Sequence, residues 1–196
     1  MLRPLIDPPL NALGLRLARI GVSANGATLV GMVVGVGAGW AISQQCFGLG
    51  LGLILVNRLL DGLDGAIARA TAKSDFGGYL DSVCDYVFYL AVPVGFGFAS
   101  PANLVFAMLL IASFTLTAVS FLGYALLAAG RGQVTRTHGD KSFFYSTGLA
   151  EGAETIAAFC LMVMMPDYFP AIASIYTGLC VITFTQRSLA AWFAFR

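Results

Sequence analysis

Four aspartates carry the strongest chemical signal in this chain. They lie in the run DGLDGAIARATAKSDFGGYLDSVCD, residues 61–85. Asp61 and Asp64 are three residues apart, and Asp81 and Asp85 are four apart, so each pair shares one face of a helix. Carboxylates gathered this closely repel one another and are costly to desolvate unless positive charge sits among them. No His or Cys stands nearby in a ligand pattern, so oxygen-only ligation suits a hard cation, Mg²⁺, Mn²⁺ or Ca²⁺, rather than zinc. Mg²⁺ takes few carboxylates and completes its shell with water or substrate phosphate, so the site predicts a phosphate-bearing substrate. Four carboxylates have room for two ions, clamping the oxygens around a reacting phosphorus. The competing reading, solvated charges at a helix end, is physically poor, because Asp61 and Asp64 near a helix C-terminus would oppose its dipole.

The elements that must position these groups are membrane helices. Of 196 residues, 58% are hydrophobic and 11% charged, against about 25% charge in soluble domains. Six apolar stretches follow one another at 22–43, 47–68, 79–99, 103–129, 143–165 and 168–192. Spanning takes roughly 20 apolar residues in a helix. Continuous apolar runs lack the alternation of a membrane barrel, which leaves helices as the form that satisfies its own backbone in lipid. The first aspartate pair therefore ends the second helix and the second pair opens the third. A short connection makes these two helices antiparallel neighbours. Glycines at Gly31, Gly35, Gly37 and Gly39, then Gly48, Gly50 and Gly52, suit close approach of the first two helices.

Ahead of them, residues 10–20 place Leu10, Leu13, Leu17 and Ile20 on one face, with Arg16 and Arg19 elsewhere. This stretch is too short and too charged to span and suits a helix lying in the interface. Pro4, Pro8 and Pro9 interrupt what a signal peptide would need as its apolar region. The expected organisation is an interfacial helix over 1–21 and a six-helix, all-α membrane domain over 22–196. With a cytoplasmic N-terminus, the cytoplasmic segments hold Arg3, Arg16, Arg19, Arg69, Lys73, Arg131, Arg136, Lys141 and Arg196. The opposite loops, at 44–46, 99–102 and 166–168, hold no Lys or Arg. The positive-inside rule then puts both termini and the aspartates on the cytoplasmic side of an inner membrane. A net charge of +1 leaves no basic face for nucleic acid. Cys46, Cys84, Cys160 and Cys180 are scattered and read as small apolar residues.

The pattern Asp61-x-x-Asp64-Gly65-x-x-Ala68-Arg69, then Gly77-x-x-x-Asp81-x-x-x-Asp85, resembles the signature of the CDP-alcohol phosphotransferases. The segment between Arg69 and Gly77 is shorter than the family usually has, so a tighter turn is expected. Val22-Ser23-Ala24-Asn25 is similar to the family's usual lead into the first span, with Ala24 where proline is common. The resemblance implies that Asp61, Asp64, Asp81 and Asp85 hold Mg²⁺ or Mn²⁺, two ions in all, and that Asp85 is also the general base. It implies that Asp61, Gly65, Arg69 and Asn25 bind the CDP moiety. Glycine suits close backbone approach, and guanidinium suits phosphate. The implied donor is CDP-diacylglycerol or a related CDP-linked lipid, the acceptor a small alcohol, the product a phospholipid with release of CMP, and the assembly a homodimer among membrane lipids.

The acceptor is less legible. Arg131, Arg136 and Lys141, with His138 among them, suit a phosphorylated alcohol, or equally the positive-inside charges facing anionic headgroups. Glu151 and Glu154 share a face inside an apolar stretch and suit a cationic acceptor, or equally pair with Arg58 or Arg187, the basic residues left within the apolar stretches. Within the family, a CDP-amino alcohol donor with diacylglycerol as acceptor is the alternative. Outside it stand a small cation transporter and a non-catalytic scaffold. Against the transporter, the acids cluster at one membrane face and no inverted halves are visible.

Overall fold

The computed structural model describes residues 3–131, 150 and 152–196, and among these the regular structure is helical throughout. Seven α-helices follow in order: α1 Arg3–Arg19, α2 Ala24–Ser43, α3 Phe47–Ala70, α4 Asp75–Ala99, α5 Leu104–Gly130, α6 Gly152–Met164 and α7 Phe169–Phe195. Single 3₁₀ turns at Pro101–Asn103 and Pro166–Tyr168 lead into α5 and α7, each opened by a proline whose missing N–H costs nothing there. The chain forms two compact units, Met1–Ala99 and Ser100–Arg196.

Of the six expected spans, α2, α4, α5 with its preceding turn, and α7 with its own are long and apolar enough to cross a membrane. The 24-residue α3 is long enough but carries Asn57, Arg58, Asp61, Asp64 and Arg69. In α6 the described helix has 13 residues, and most of the N-terminal part of the expected 143–165 stretch lies outside the described residues. Leu29, Val30 and Val33 on α2 and Leu122 and Leu126 on α5 are exposed, as side chains facing lipid tails are.

In the first unit, α2 is the central wall. It packs closely along both α3 and α4, whereas the backbones of α3 and α4 stay apart. The expectation of α3 and α4 as direct neighbours is thus corrected: their connection, residues 71–74, is short, but the helices splay and α2 spans both. Glycine explains this. A Cβ on Gly39 would collide with the Ala91 carbonyl of α4, and one on Gly95 with the Gly39 carbonyl, so the two backbones touch. The expected glycine stripe is narrower than the sequence suggests, since Gly48 and Gly52 meet nothing within 4 Å. Gln45, in a left-handed conformation at the α2–α3 turn, donates its side-chain amide to the Ala99 carbonyl at 2.9 Å. The turn is thereby tied to the end of α4, and α2 and α4 run parallel.

Helix α1 lies on α3. Leu13 and Ile20 are exposed, and Gly14 is the buried residue. A Cβ on Gly14 would sit 2.6 Å from that of Ala66, and one on Gly62 3.0 Å from Leu10 Cδ1, so the two helices close at glycines. In the second unit α5 and α7 pack along each other, with α6 on α7. Phe114 of α5 meets Phe159 of α6 and Tyr176 of α7 edge-on.

Candidate functional site

The opening between α3 and α4 is where the aspartates meet. Ser23, extended at φ −85° and ψ 145°, caps α2 by accepting the Gly26 N–H at 3.1 Å, which starts that helix beside the cluster. Ser74 does the same for α4, accepting the Gly77 N–H at 3.0 Å. From these starts Thr28 of α2 and Asp81 and Asp85 of α4 face Asp61 and Asp64 of α3.

The carboxylates are not equivalent. Asp61, Asp81 and Asp85 each offer an oxygen lying within 4.8 Å of the other two. That spread matches about twice a hard cation's metal–oxygen distance, roughly 2.0–2.6 Å. The donor set is all oxygen, so the residues present fit Mg²⁺, Mn²⁺ or Ca²⁺. Asp64 is buried and turned towards α2, where the Thr28 hydroxyl donates to its Oδ2 at 2.6 Å. It lines the same small cavity as the other three, along with Thr28, Asn57 and Arg58.

A positive charge does sit among them. Arg58, one turn before Asp61, donates from Nη2 to Asp85 Oδ1 at 2.8 Å and places Nη1 3.5 Å from Asp61 Oδ2. Its fork thus spans two aspartates of its own unit. Among the described residues these are the ion pairs of the chain.

Towards the α3–α4 turn the cluster opens into a larger cavity of about 280 Å³. Asp64 and Asp81 line it together with Asn25, Gly65, Arg69 and Lys73, so the residues expected at a nucleotide converge there, Asp61 excepted, which lies in the deeper cavity. A Cβ on Gly65 would stand 3.2 Å from Arg69 Nη1. Arg69 is held from α1, donating from Nε and Nη2 to Asn11 Oδ1 at 3.2 and 2.9 Å.

The residues considered for an acceptor fare differently. Arg131 donates to the carbonyls of Ala194 and Phe195 at 3.2 and 2.8 Å and lies over the Phe195 ring, closing the end of α7. Glu154 is exposed in the first turn of α6, where a negative charge favours the helix dipole. Arg187 reaches the Thr117 carbonyl at 3.4 Å and the face of Phe121. Arg136, His138, Lys141 and Glu151 lie outside the described residues.

Sequence reasoning missed Thr28, Asn57 and Arg58 as parts of the site. Arg58 did leave a signal, a cation inside an apolar stretch three residues before Asp61. Thr28 left none, since a threonine among apolar residues has many ordinary uses.

Apolar helices around an acidic cluster, opening into a glycine-lined cavity that holds both acidic and basic side chains, define a helical membrane protein with a polar site. Residues 22–192 match the family described as CDP-alcohol phosphatidyltransferase, and the chain belongs to that family and is a transferase. It is 41% identical to the inner membrane protein YnjF of Escherichia coli (strain K12) over 94% of this chain and 91% of that one. It is 29% identical to archaetidylinositol phosphate synthase of Pyrococcus horikoshii over 95% and 92%. Its fold matches the crystal structure of Mycobacterium tuberculosis phosphatidylinositol phosphate synthase with CDP-DAG bound, at TM-score 0.75 and 18% identity over 93% of each chain. The same enzyme with manganese and citrate matches at TM-score 0.73 and 18% identity, over 93% of this chain and 88% of that one.

Proposed function

We propose that this protein transfers a phosphatidyl or similar substituted-phosphate group from a CDP-linked lipid, CDP-diacylglycerol in the leading case, to the hydroxyl of a small polar alcohol, releasing CMP. One observation carries the reading: the cluster of Asp61, Asp81 and Asp85 adjoins the cavity lined by Gly65, Arg69 and Lys73, with Asp64 and Asp81 common to both spaces. Reacting phosphorus at the join would have carboxylates on one side and basic groups on the other.

In this reading Asp61, Asp64, Asp81 and Asp85 would hold Mg²⁺ or Mn²⁺, which would supply stabilisation of charge on the phosphate oxygens. Asp64 is oriented for this by Thr28. The Gly65 backbone lets the nucleotide lie close, Asn25 borders it, and Arg69 neutralises donor phosphate. Asp85 takes the proton of the acceptor hydroxyl as its oxygen attacks the phosphorus nearer the lipid, and the bond to CMP breaks. The polar load of α3 is compatible with a span because its charged face meets α2 and α4 rather than lipid, so six spans remain the reading, with α1 in the interface. Both termini and the aspartates face the cytoplasm, following the distribution of Lys and Arg. Two copies pair as a homodimer, as the family resemblance implies.

The test uses purified full-length protein in detergent with CDP-diacylglycerol, Mg²⁺ or Mn²⁺, and glycerol phosphate, inositol, inositol phosphate, serine or choline. Acceptor-dependent CMP release, abolished by EDTA and by Asp85→Asn, is the expected result and names the alcohol. Release only from a CDP-amino alcohol with diacylglycerol would reverse the direction of transfer. Silence with every donor from folded, metal-loaded protein would overturn this choice of donor and acceptor.

A further inference from the structure

Arg58 is a charged group beside the acidic cluster that the reaction above does not use. Its guanidinium is held on several sides at once. Nε donates to Asn57 Oδ1 at 2.8 Å, Nη2 donates to Asp85 Oδ1 at 2.8 Å, and Nη1 lies 3.5 Å from Asp61 Oδ2. Its central carbon stands 4.5 Å from the centre of the Phe88 ring and 5.7 Å from that of Tyr89. Asn57 is itself anchored, being buried and donating from Nδ2 to the Gly31 carbonyl at 2.8 Å. A continuous run of contacts therefore leads from the backbone of α2, through Asn57 and Arg58, to the carboxylates of α3 and α4.

Two physical consequences follow from that placement. A planar fork held by an amide on one edge and an aromatic face below fixes the rotation of the carboxylate it grips, which a flexible ammonium cannot do. A fixed positive charge among carboxylates also cancels part of the field that attracts any further cation. We propose that Arg58 is a positioning residue that clamps Asp85 for the reaction and, by its charge, holds down the affinity of the aspartate cluster for divalent cations. This inference rests on reading the cluster as a metal site. The clamp sits at the deep end, one turn further from the α3–α4 connection than Asp61, so it acts through Asp85 and Asp61 and not on the nucleotide cavity.

The experiment measures Mn²⁺ binding to purified full-length protein in detergent, by the paramagnetic resonance of free Mn²⁺, beside steady-state CMP release. Arg58→Gln is expected to bind Mn²⁺ about tenfold more tightly than wild type, while turnover falls at least about tenfold. A damaged fold would weaken binding, so tighter binding with slower turnover separates this role from a merely structural one. Arg58→Lys keeps the charge and loses the fork: Mn²⁺ affinity is expected within about twofold of wild type, with turnover still reduced. Unchanged or weaker Mn²⁺ binding in folded Arg58→Gln overturns the inference, as does wild-type turnover in Arg58→Lys should the glutamine variant not fold. Absence of saturable Mn²⁺ binding in wild type, or binding in Asp81→Asn at wild-type affinity and stoichiometry, overturns the metal-site reading itself and the inference with it.

Discussion

The two units differ in what their cross-helix polar contacts join: carboxylates take part in the first, hydroxyls and backbone carbonyls in the second. In Met1–Ala99 four polar side chains reach across helices: Thr28 to Asp64, Asn57 to the Gly31 carbonyl, Arg58 to Asp85, Gln45 to the Ala99 carbonyl. In α5 of the second unit Ser113, Thr115, Thr117 and Ser120 each donate to a carbonyl of their own helix, three or four residues back. Such back-bonding satisfies a hydroxyl in an apolar setting without committing it to a partner. Aromatic contacts, a hydroxyl pair, Thr155 with Tyr176 at 2.7 Å, and arginines on backbone carbonyls join its helices. The first unit is thus organised around charges that need one another, the second around packing. The charges are costly to hold in a membrane, and that cost is tolerable only where chemistry uses them.

The contrast is broken most severely by removing a charge. Asp81→Asn is expected to lower CMP release by about 10³-fold with little change in melting temperature, whereas Glu154→Gln leaves release within about twofold. Parallel assays of the two variants test this. Next comes the wall: Gly39→Val forces α2 off α4 and is expected to destabilise by about 3 kcal/mol. Its counterpart, Gly123→Ala in α5, meets nothing within 4 Å and is expected to raise the melting temperature slightly. Thermal unfolding followed by circular dichroism compares them. Thr28→Val frees Asp64 from its hydroxyl donor and is expected to lower kcat/KM about tenfold, because hydrogen bonds to charged groups contribute about 1.5–3 kcal/mol. The smallest effect sharpens the second unit's side: Arg131→Gln is expected to cost about 1 kcal/mol of stability and to leave acceptor KM within about twofold, since its guanidinium is engaged by the end of α7. A large rise in acceptor KM for that variant would return Arg131 to the acceptor site.

Much of this protein is written along the chain. The pairing of Asp61 with Asp64 and of Asp81 with Asp85 on single helix faces follows from helical periodicity, which is local, as do the hard-ligand chemistry and the apolar helices around it. Partners across helices are another matter. That Arg58 joins Asp85, that Thr28 singles out Asp64 from its three fellows, and that Arg131 ends on carbonyls all depend on which faces meet. So does the splay of α3 and α4, which a short connection seemed to forbid. A stripe of glycines announces that backbones come close but not which ones. Only the packed structure decided that α2 would be the shared wall, because contact at a missing Cβ is settled by the shape of the opposing surface and not by the glycine itself.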